Sequence, residues 1–242
     1  MAKLLLLDDD AEALTWVAAA LESRGHEVSA FRSGKTALDA LGAFTPDLIV
    51  ADIMMPELDG LAFARLVRKH RGIPLIFVSI AKKQAEAVLA GAVGYVQKPA
   101  SASEIRAAVE RVLGEGARSN AILIVDDDQD VRELYRAFLE PRFVVLTAEN
   151  GREALETLRR ERIDLAIVDV HMPVMNGVEL LRSIRGDPAL EGLPVVVQTS
   201  DRTALNAPIW GTLRVSQVLD KMRFLDWFEA QMRVGGGPDS QS

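Results

Sequence analysis

The chain has 242 residues, of which 49% are hydrophobic and 26% charged, with no cysteine and a formal net charge of −7. The length allows one large domain or two small ones, and the apolar content is ample for packed cores. The acidic balance excludes a chain-wide nucleic-acid footprint, the missing cysteines exclude disulfide and thiolate chemistry and fit a reducing compartment, and no apolar run approaches the roughly 18–20 residues of a membrane span.

The first apolar run, Leu4–Leu7, ends in three carboxylates, Asp8, Asp9 and Asp10. Four leucines are too short for the core of a signal peptide. Leu14, Val17, Ala18 and Leu21 then recur at helical spacing on one face. Further strand-like runs follow at Val28–Phe31, Leu48–Ala51, Leu75–Val78 and Gly94–Gln97, each separated from the next by a helical pattern. Ser101 with Glu104 forms a capping box before the helix "IRAAVERVL". Runs apolar on both faces suit buried parallel strands, so five of them alternating with helices predict an α/β fold with a doubly wound parallel sheet.

The same order then repeats. "LLLLDDD" at 4–10 returns as "ILIVDDD" at 122–128, and "PDLIVADIMMPELDG" at 46–60 returns as "IDLAIVDVHMPVMNG" at 163–177. "GIPLIFVSI" at 72–80 matches "GLPVVVQTS" at 192–200, and "YVQKP" at 95–99 aligns with "VLDKM" at 218–222. Ordered matches of this kind mark a tandem duplication. The expected organisation is a first domain over 1–114, a linker over 115–120, a second domain over 121–234 and a disordered tail over 235–242.

Ligands of such sheets bind beyond the carboxyl ends of the strands. Asp8 and Asp9 follow the first strand, Asp52 the third, Ser79 the fourth and Lys98 the fifth; copy two has Asp126 and Asp127, Asp169, Thr199 and Lys221 at the matching places. Clustered carboxylates cannot all stay ionised without a cation, and oxygen ligands favour a hard ion such as Mg²⁺. A lysine and a hydroxyl beside them suit a phosphoryl group. Asp10 and Asp128, each third in its run where a helix begins, read as N-caps rather than direct ligands.

At these residues both copies resemble bacterial response-regulator receiver domains. The resemblance rests on the acidic pair after strand one, "DIMMPELDG" and "DVHMPVMNG", the Ser or Thr after strand four, and the "KP" of copy one after strand five. It implies two flavodoxin-like (βα)5 domains with strand order 2-1-3-4-5. It further implies that Asp52 and Asp169 accept phosphoryl groups from a phosphohistidine. Asp8, Asp9, Asp126 and Asp127, with the two acceptors, would bind one Mg²⁺ per domain. Ser79 and Thr199 would turn toward the phosphate, Lys98 and Lys221 would pair with it, and Tyr95 would be the rotating aromatic that reports the switch.

Several positions depart from that pattern. Ile80 stands where the family has a small residue, and either narrows access to Asp52 or is a harmless packing variant. The interval Ser79–Lys98 is shorter than Thr199–Lys221. Met222 replaces the proline after Lys221, and a cis bond before a non-proline residue costs about 2.5–4 kcal/mol. Val218 stands in place of Tyr95, and Pro208 and Gly211 predict a short, distorted or absent fourth helix over Ala204–Gln217. His171, two residues after Asp169, is either an exposed rim residue or an influence on phosphoaspartate hydrolysis and metal access, with Asp201 facing it across the site. In the last helix Leu225, Phe228 and Met232 form the expected core stripe; Phe224 and Trp227 either widen it or meet another surface.

The expected function is that of a cytoplasmic two-component or phosphorelay response regulator made of two receivers. It would take phosphoryl groups from a sensor histidine kinase or histidine phosphotransfer protein and switch binding to a downstream protein target. It is expected not to be an enzyme beyond self-catalysed phosphotransfer and autodephosphorylation. No direct nucleic-acid contact is expected, and receiver–receiver packing, within the chain or in a dimer, is left open. The rival reading is an interaction scaffold in which one or both receivers no longer signal.

Overall fold

The computed structural model describes residues 1–115 and 120–232. The expected tail at 235–242 and the linker residues 116–119 lie outside the described residues. Contacts divide the chain into two compact units, one per sheet.

In the first unit the chain runs β1 (Lys3–Leu7), α1 (Ala11–Glu22), β2 (Glu27–Phe31), α2 (Gly34–Ala40), β3 (Leu48–Ala51), α3 (Gly60–Arg71), β4 (Leu75–Ser79), α4 (Gln84–Ala90), β5 (Gly94–Gln97) and α5 (Ala102–Glu115). All strand pairs are parallel, in the order β2-β1-β3-β4-β5. The alternation of side chains along each strand explains why the runs are apolar throughout. Leu5 and Leu7, Ile49 and Ala51, and Leu75 and Phe77 enter one core, while Leu4 and Leu6, Leu48 and Val50, and Ile76 and Val78 enter another. Burial of each such leucine contributes roughly 1.5–3 kcal/mol. Leu14, Val17 and Leu21 of α1 are buried against the second of these cores.

The second unit runs β6 (Ala121–Val125), α6 (Gln129–Leu139), β7 (Val144–Ala148), α7 (Gly151–Arg160), β8 (Leu165–Asp169), α8 (Gly177–Gly186), β9 (Val195–Thr199), α9 (Arg202–Leu205), α10 (Ile209–Thr212) and β10 (Gln217–Asp220). A 3-10 turn, Lys221–Arg223, leads into α11 (Phe224–Met232). The sheet order β7-β6-β8-β9-β10 repeats that of the first unit. The segment around Pro208 and Gly211 forms two four-residue helices instead of one continuous helix. Trp210 still closes the core there, buried with Leu213, its indole N–H donating to the Ala204 carbonyl.

Three local details differ from the sequence expectation. Helix α5 continues through Glu115, one residue beyond the expected boundary at 114, and Asn120, the last expected linker residue, is buried. In α11 the buried positions are Phe224 and Phe228; Leu225 is only partly buried, and the side chain of Met232 lies outside the described residues. Phe224 turns inward because Tyr135 of α6 offers it a ring 4.3 Å away, a stacked aromatic pair worth about 0.5–1.5 kcal/mol beyond burial. No helix among the described residues is long and apolar enough to cross a membrane.

Candidate functional site

Parallel strands bring the polar residues to one edge of each sheet. In the first unit Asp8 follows β1, Asp52 follows β3, Ser79 closes β4 and Lys98 follows β5. Lys98 Nζ donates to Asp8 Oδ2 and to Asp52 Oδ2, each at 2.8 Å. Ser79 Oγ donates to Asp52 Oδ1 at 2.5 Å, and the Met54 N–H donates to the same oxygen at 2.9 Å. Burial pushes the Asp52 carboxyl up, but the hydrogen bonds from Lys98, Ser79 and Met54 outweigh it, so its pKa lies below the ordinary value. Burial likewise disfavours the Lys98 ammonium, yet Asp52 and Asp8 hold its pKa above normal.

The second unit repeats the bridge: Lys221 Nζ lies 2.9 Å from Asp126 Oδ2 and 2.9 Å from Asp169 Oδ2. The remaining contacts differ. Asp169 Oδ1 accepts from the Val170 N–H at 2.8 Å. The Thr199 hydroxyl oxygen accepts from the Asp201 N–H at 3.1 Å, as the Ser79 oxygen does from the Ala81 N–H at 3.4 Å, but among the described residues it makes no hydrogen bond to Asp169. Asp126 is fully buried, and burial lifts its pKa above the ordinary range despite Lys221 and the Asp128 N–H.

A glycine is required beside Asp52 and beside Asp169. A Cβ at Gly60 would stand 2.1 Å from the Asp52 carbonyl oxygen, and one at Gly177 would stand 2.2 Å from that of Asp169. The turns "LDG" and "MNG" therefore start α3 and α8 directly against the strand that bears the carboxylate. Asp59 and Asn176 cap these helices, the latter in a capping box with Glu179.

The third aspartates are caps. Asp10 Oδ1 accepts from the Glu12 and Ala13 N–H groups, and Asp128 Oδ1 from those of Asp130 and Val131. In copy two the ligand atoms of Asp126, Asp127 and Asp169 all lie within 4.8 Å of one another. This all-carboxylate donor set fits a hard divalent cation such as Mg²⁺. Among the described residues Asp8, Asp9 and Asp52 do not close to that spacing; the backbone carbonyl of Asp9 accepts from Arg32 at 3.1 Å.

At the rims, Ile80 is 65% exposed, with exposed Met54 in the loop after Asp52. The Tyr95 ring packs against the core of its unit and its hydroxyl donates to the Ala81 carbonyl; burial pushes its pKa up to about 12. Val218 has no such group. His171 Nε2 lies 3.6 Å from Asp201 Oδ2, both residues being solvent-accessible. The Lys98–Pro99 bond is cis and the Lys221–Met222 bond is not. The Met222 N–H, which a proline would lack, donates to Asp220 Oδ1 at 2.9 Å, and its side chain is 88% exposed.

Two residues near the second site escaped the sequence reading. Gln198, fully buried in β9, donates from Nε2 to Asp126 Oδ2 at 2.9 Å. Tyr135, buried in α6, has its pKa raised by burial and further by the nearby Asp126 and Asp169. The signal lay in the repeat: these positions hold Val78 and Val17 in copy one.

A family model for the response regulator receiver domain matches residues 4–110 and 122–222. The chain is 33% identical over 123 residues to the transcriptional regulatory protein AfsQ1 of Streptomyces coelicolor, covering 50% of this chain and 55% of that protein. It is 28% identical over 141 residues to the DNA-binding response regulator MtrA of Mycobacterium leprae, covering 55% of this chain and 63% of that one. The match thus spans less than two thirds of each curated relative. Among solved structures, the receiver domain of the Francisella response regulator 1452 matches at 28% identity with a TM-score of 0.45, covering 48% of this chain and 98% of that one.

Proposed function

Because the chain belongs to the response regulator receiver family, with two receiver domains in succession, we propose that it is a phosphorelay response regulator that takes phosphoryl groups on Asp52 and Asp169. The observation that carries this reading is the lysine bridge formed in both copies, Lys98 on Asp8 and Asp52 and Lys221 on Asp126 and Asp169. In copy one the hydrogen bond from Lys98 helps hold Asp52 ionised, hence nucleophilic, and in both copies the lysine supplies positive charge where a phosphoryl oxygen would arrive.

The donor would be a phosphohistidine on a sensor kinase or phosphotransfer protein. A carboxylate oxygen of the aspartate attacks phosphorus, the O–P bond forms, and the N–P bond breaks with its electron pair left on the imidazole. Asp8, Asp9 and Asp52 in copy one, and Asp126, Asp127 and Asp169 in copy two, would hold Mg²⁺, which when bound supplies charge neutralisation for the transferred group. Ser79, already on Asp52, would pass to a phosphoryl oxygen, and the Thr199 hydroxyl would donate to one in copy two. Phosphorylation then shifts a conformational balance that alters binding to a downstream protein target. Such a protein works in the cytoplasm, where phosphohistidine donors are made.

The two copies favour a division of labour. Copy one has the Ser79 contact, the Tyr95 aromatic and an unbroken α4. Copy two keeps the bridge but has Val218 and the split α9 and α10 on its readout face. Copy one would switch, while copy two would store phosphate, dock or tune its neighbour. Incubation with acetyl phosphate and Mg²⁺ followed by intact mass tests the reading: the wild-type chain should gain two phosphates, and D52A and D169A one each. No gain in any chain would favour the scaffold reading.

A further inference from the structure

The two sites share carboxylates and lysine but differ in what stands behind them. In copy one Val78 belongs to an apolar cluster with Val17, Leu48, Val50 and Ile76. The matching residue of copy two, Gln198, is fully buried, donates to Asp126 Oδ2 at 2.9 Å, and leaves its Oε1 buried with no hydrogen-bond partner among the described residues. An amide inside a sheet is costly unless hydrogen-bonded. Here the satisfied half is the donor half, and it is directed at the acidic cluster. Charge fixes that orientation, since the amide oxygen turned toward the carboxylate would be repelled.

Asp126 Oδ2 therefore takes two donors, Gln198 Nε2 and Lys221 Nζ, while Oδ1 takes the Asp128 N–H at 3.0 Å. In copy one Asp8 Oδ2 takes Lys98, and Oδ1 takes the Asp10 N–H, with no third donor among the described residues. The N–H end of an amide is the positive end of its dipole. Aimed at the cluster, it occupies a lone pair and reduces the negative potential that a cation feels. We infer that Gln198 is a positioning residue that holds Asp126 and weakens divalent-cation binding in copy two. The comparison is within copy two: the same cluster binds Mg²⁺ more weakly with the Gln198 amide in place than without it. The inference rests on the reading of both clusters as Mg²⁺ sites.

Calorimetric titration of Mg²⁺ into full-length chains tests it. A D52N chain reports the copy-two cluster, with and without Q198M; a D169N chain reports copy one, with and without V78Q. Methionine keeps the length of glutamine and removes the amide. Q198M should tighten copy-two binding about tenfold, the scale of one hydrogen bond to a charged group, and V78Q should weaken copy-one binding. A purely structural role for Gln198 would move the urea midpoint and leave the Mg²⁺ affinity unchanged. An affinity in D52N/Q198M equal to or weaker than that in D52N overturns the inference and leaves the Mg²⁺ reading standing. Absence of binding in both D52N and D169N removes that reading and the inference with it. If V78Q does not fold, the Q198M comparison decides alone.

Discussion

Lys98 controls the electrostatics of the first site. Its Nζ stands 2.8 Å from Asp8 Oδ2 and 2.8 Å from Asp52 Oδ2, and the three side chains are 23%, 10% and 8% exposed. Lys98→Met keeps most of the stem's bulk but leaves two carboxylates close together in a poorly solvated crevice. Removing one partner of a buried pair costs about 3–5 kcal/mol, and the partial exposure of Lys98 places the expected loss near about 3 kcal/mol. The pH response should also change sign. In the wild-type chain the pKa of Asp52 is held below its ordinary 3.8. Its stabilisation is present above that value and is lost as pH falls through the lowered pKa. In K98M Asp52 loses the ammonium that lowers its pKa and keeps the burial that raises it, so proton uptake favours the folded state and stability rises from about pH 7 to about pH 5. Mg²⁺ should substitute for the missing ammonium, restoring about 2.7 kcal/mol at a hundred times its Kd. Urea unfolding of both chains, with and without Mg²⁺, measures all three effects. A loss under about 0.5 kcal/mol at neutral pH without Mg²⁺, or one that deepens with acid, refutes the reasoning.

Three further outcomes are expected. G177A forces the start of α8 away from the Asp169 carbonyl by more than about 1 Å, and a misplacement of that size should slow phosphorylation at Asp169 about hundredfold in an acetyl phosphate time course; an unchanged rate would show the turn to be tolerant. H171M, which installs the residue found at Met54 in copy one, breaks the contact with Asp201 and should change the decay rate of phospho-Asp169; equal decay by radiolabel loss removes His171 from the chemistry. D128A should cost copy two about 1 kcal/mol as a lost helix cap, read as a lower urea midpoint, with Mg²⁺ affinity unaltered; a large fall in affinity would make Asp128 a ligand.

The fold was legible because each strand is a short run apolar on both faces, and because "LLLLDDD" and "ILIVDDD" repeat the pattern. The positions of Asp8, Asp52, Ser79 and Lys98 followed from where those runs end. The two turns before α3 and α8 were legible as motifs, but the reason for their glycines, contact with the preceding strand's carbonyl, needs coordinates. Phe224 was left between two readings because helical periodicity shows a face and not its partner; the ring of Tyr135 draws it inward and widens the core stripe. Gln198 was missed because one polar residue in a strand says nothing about where its amide points. Only alignment with Val78 would have flagged it. Whether the Ser79 or Thr199 hydroxyl reaches its carboxylate is likewise a rotamer, which no spacing encodes.

The central claim is that both Asp52 and Asp169 are phosphoacceptors. Borohydride reduction after incubation with acetyl phosphate and Mg²⁺ converts a phosphoaspartate to homoserine, which peptide mass spectrometry can place in the sequence. The account predicts homoserine at positions 52 and 169 and at no other aspartate. Its absence from either, in a chain that binds Mg²⁺ and is folded, would contradict the account.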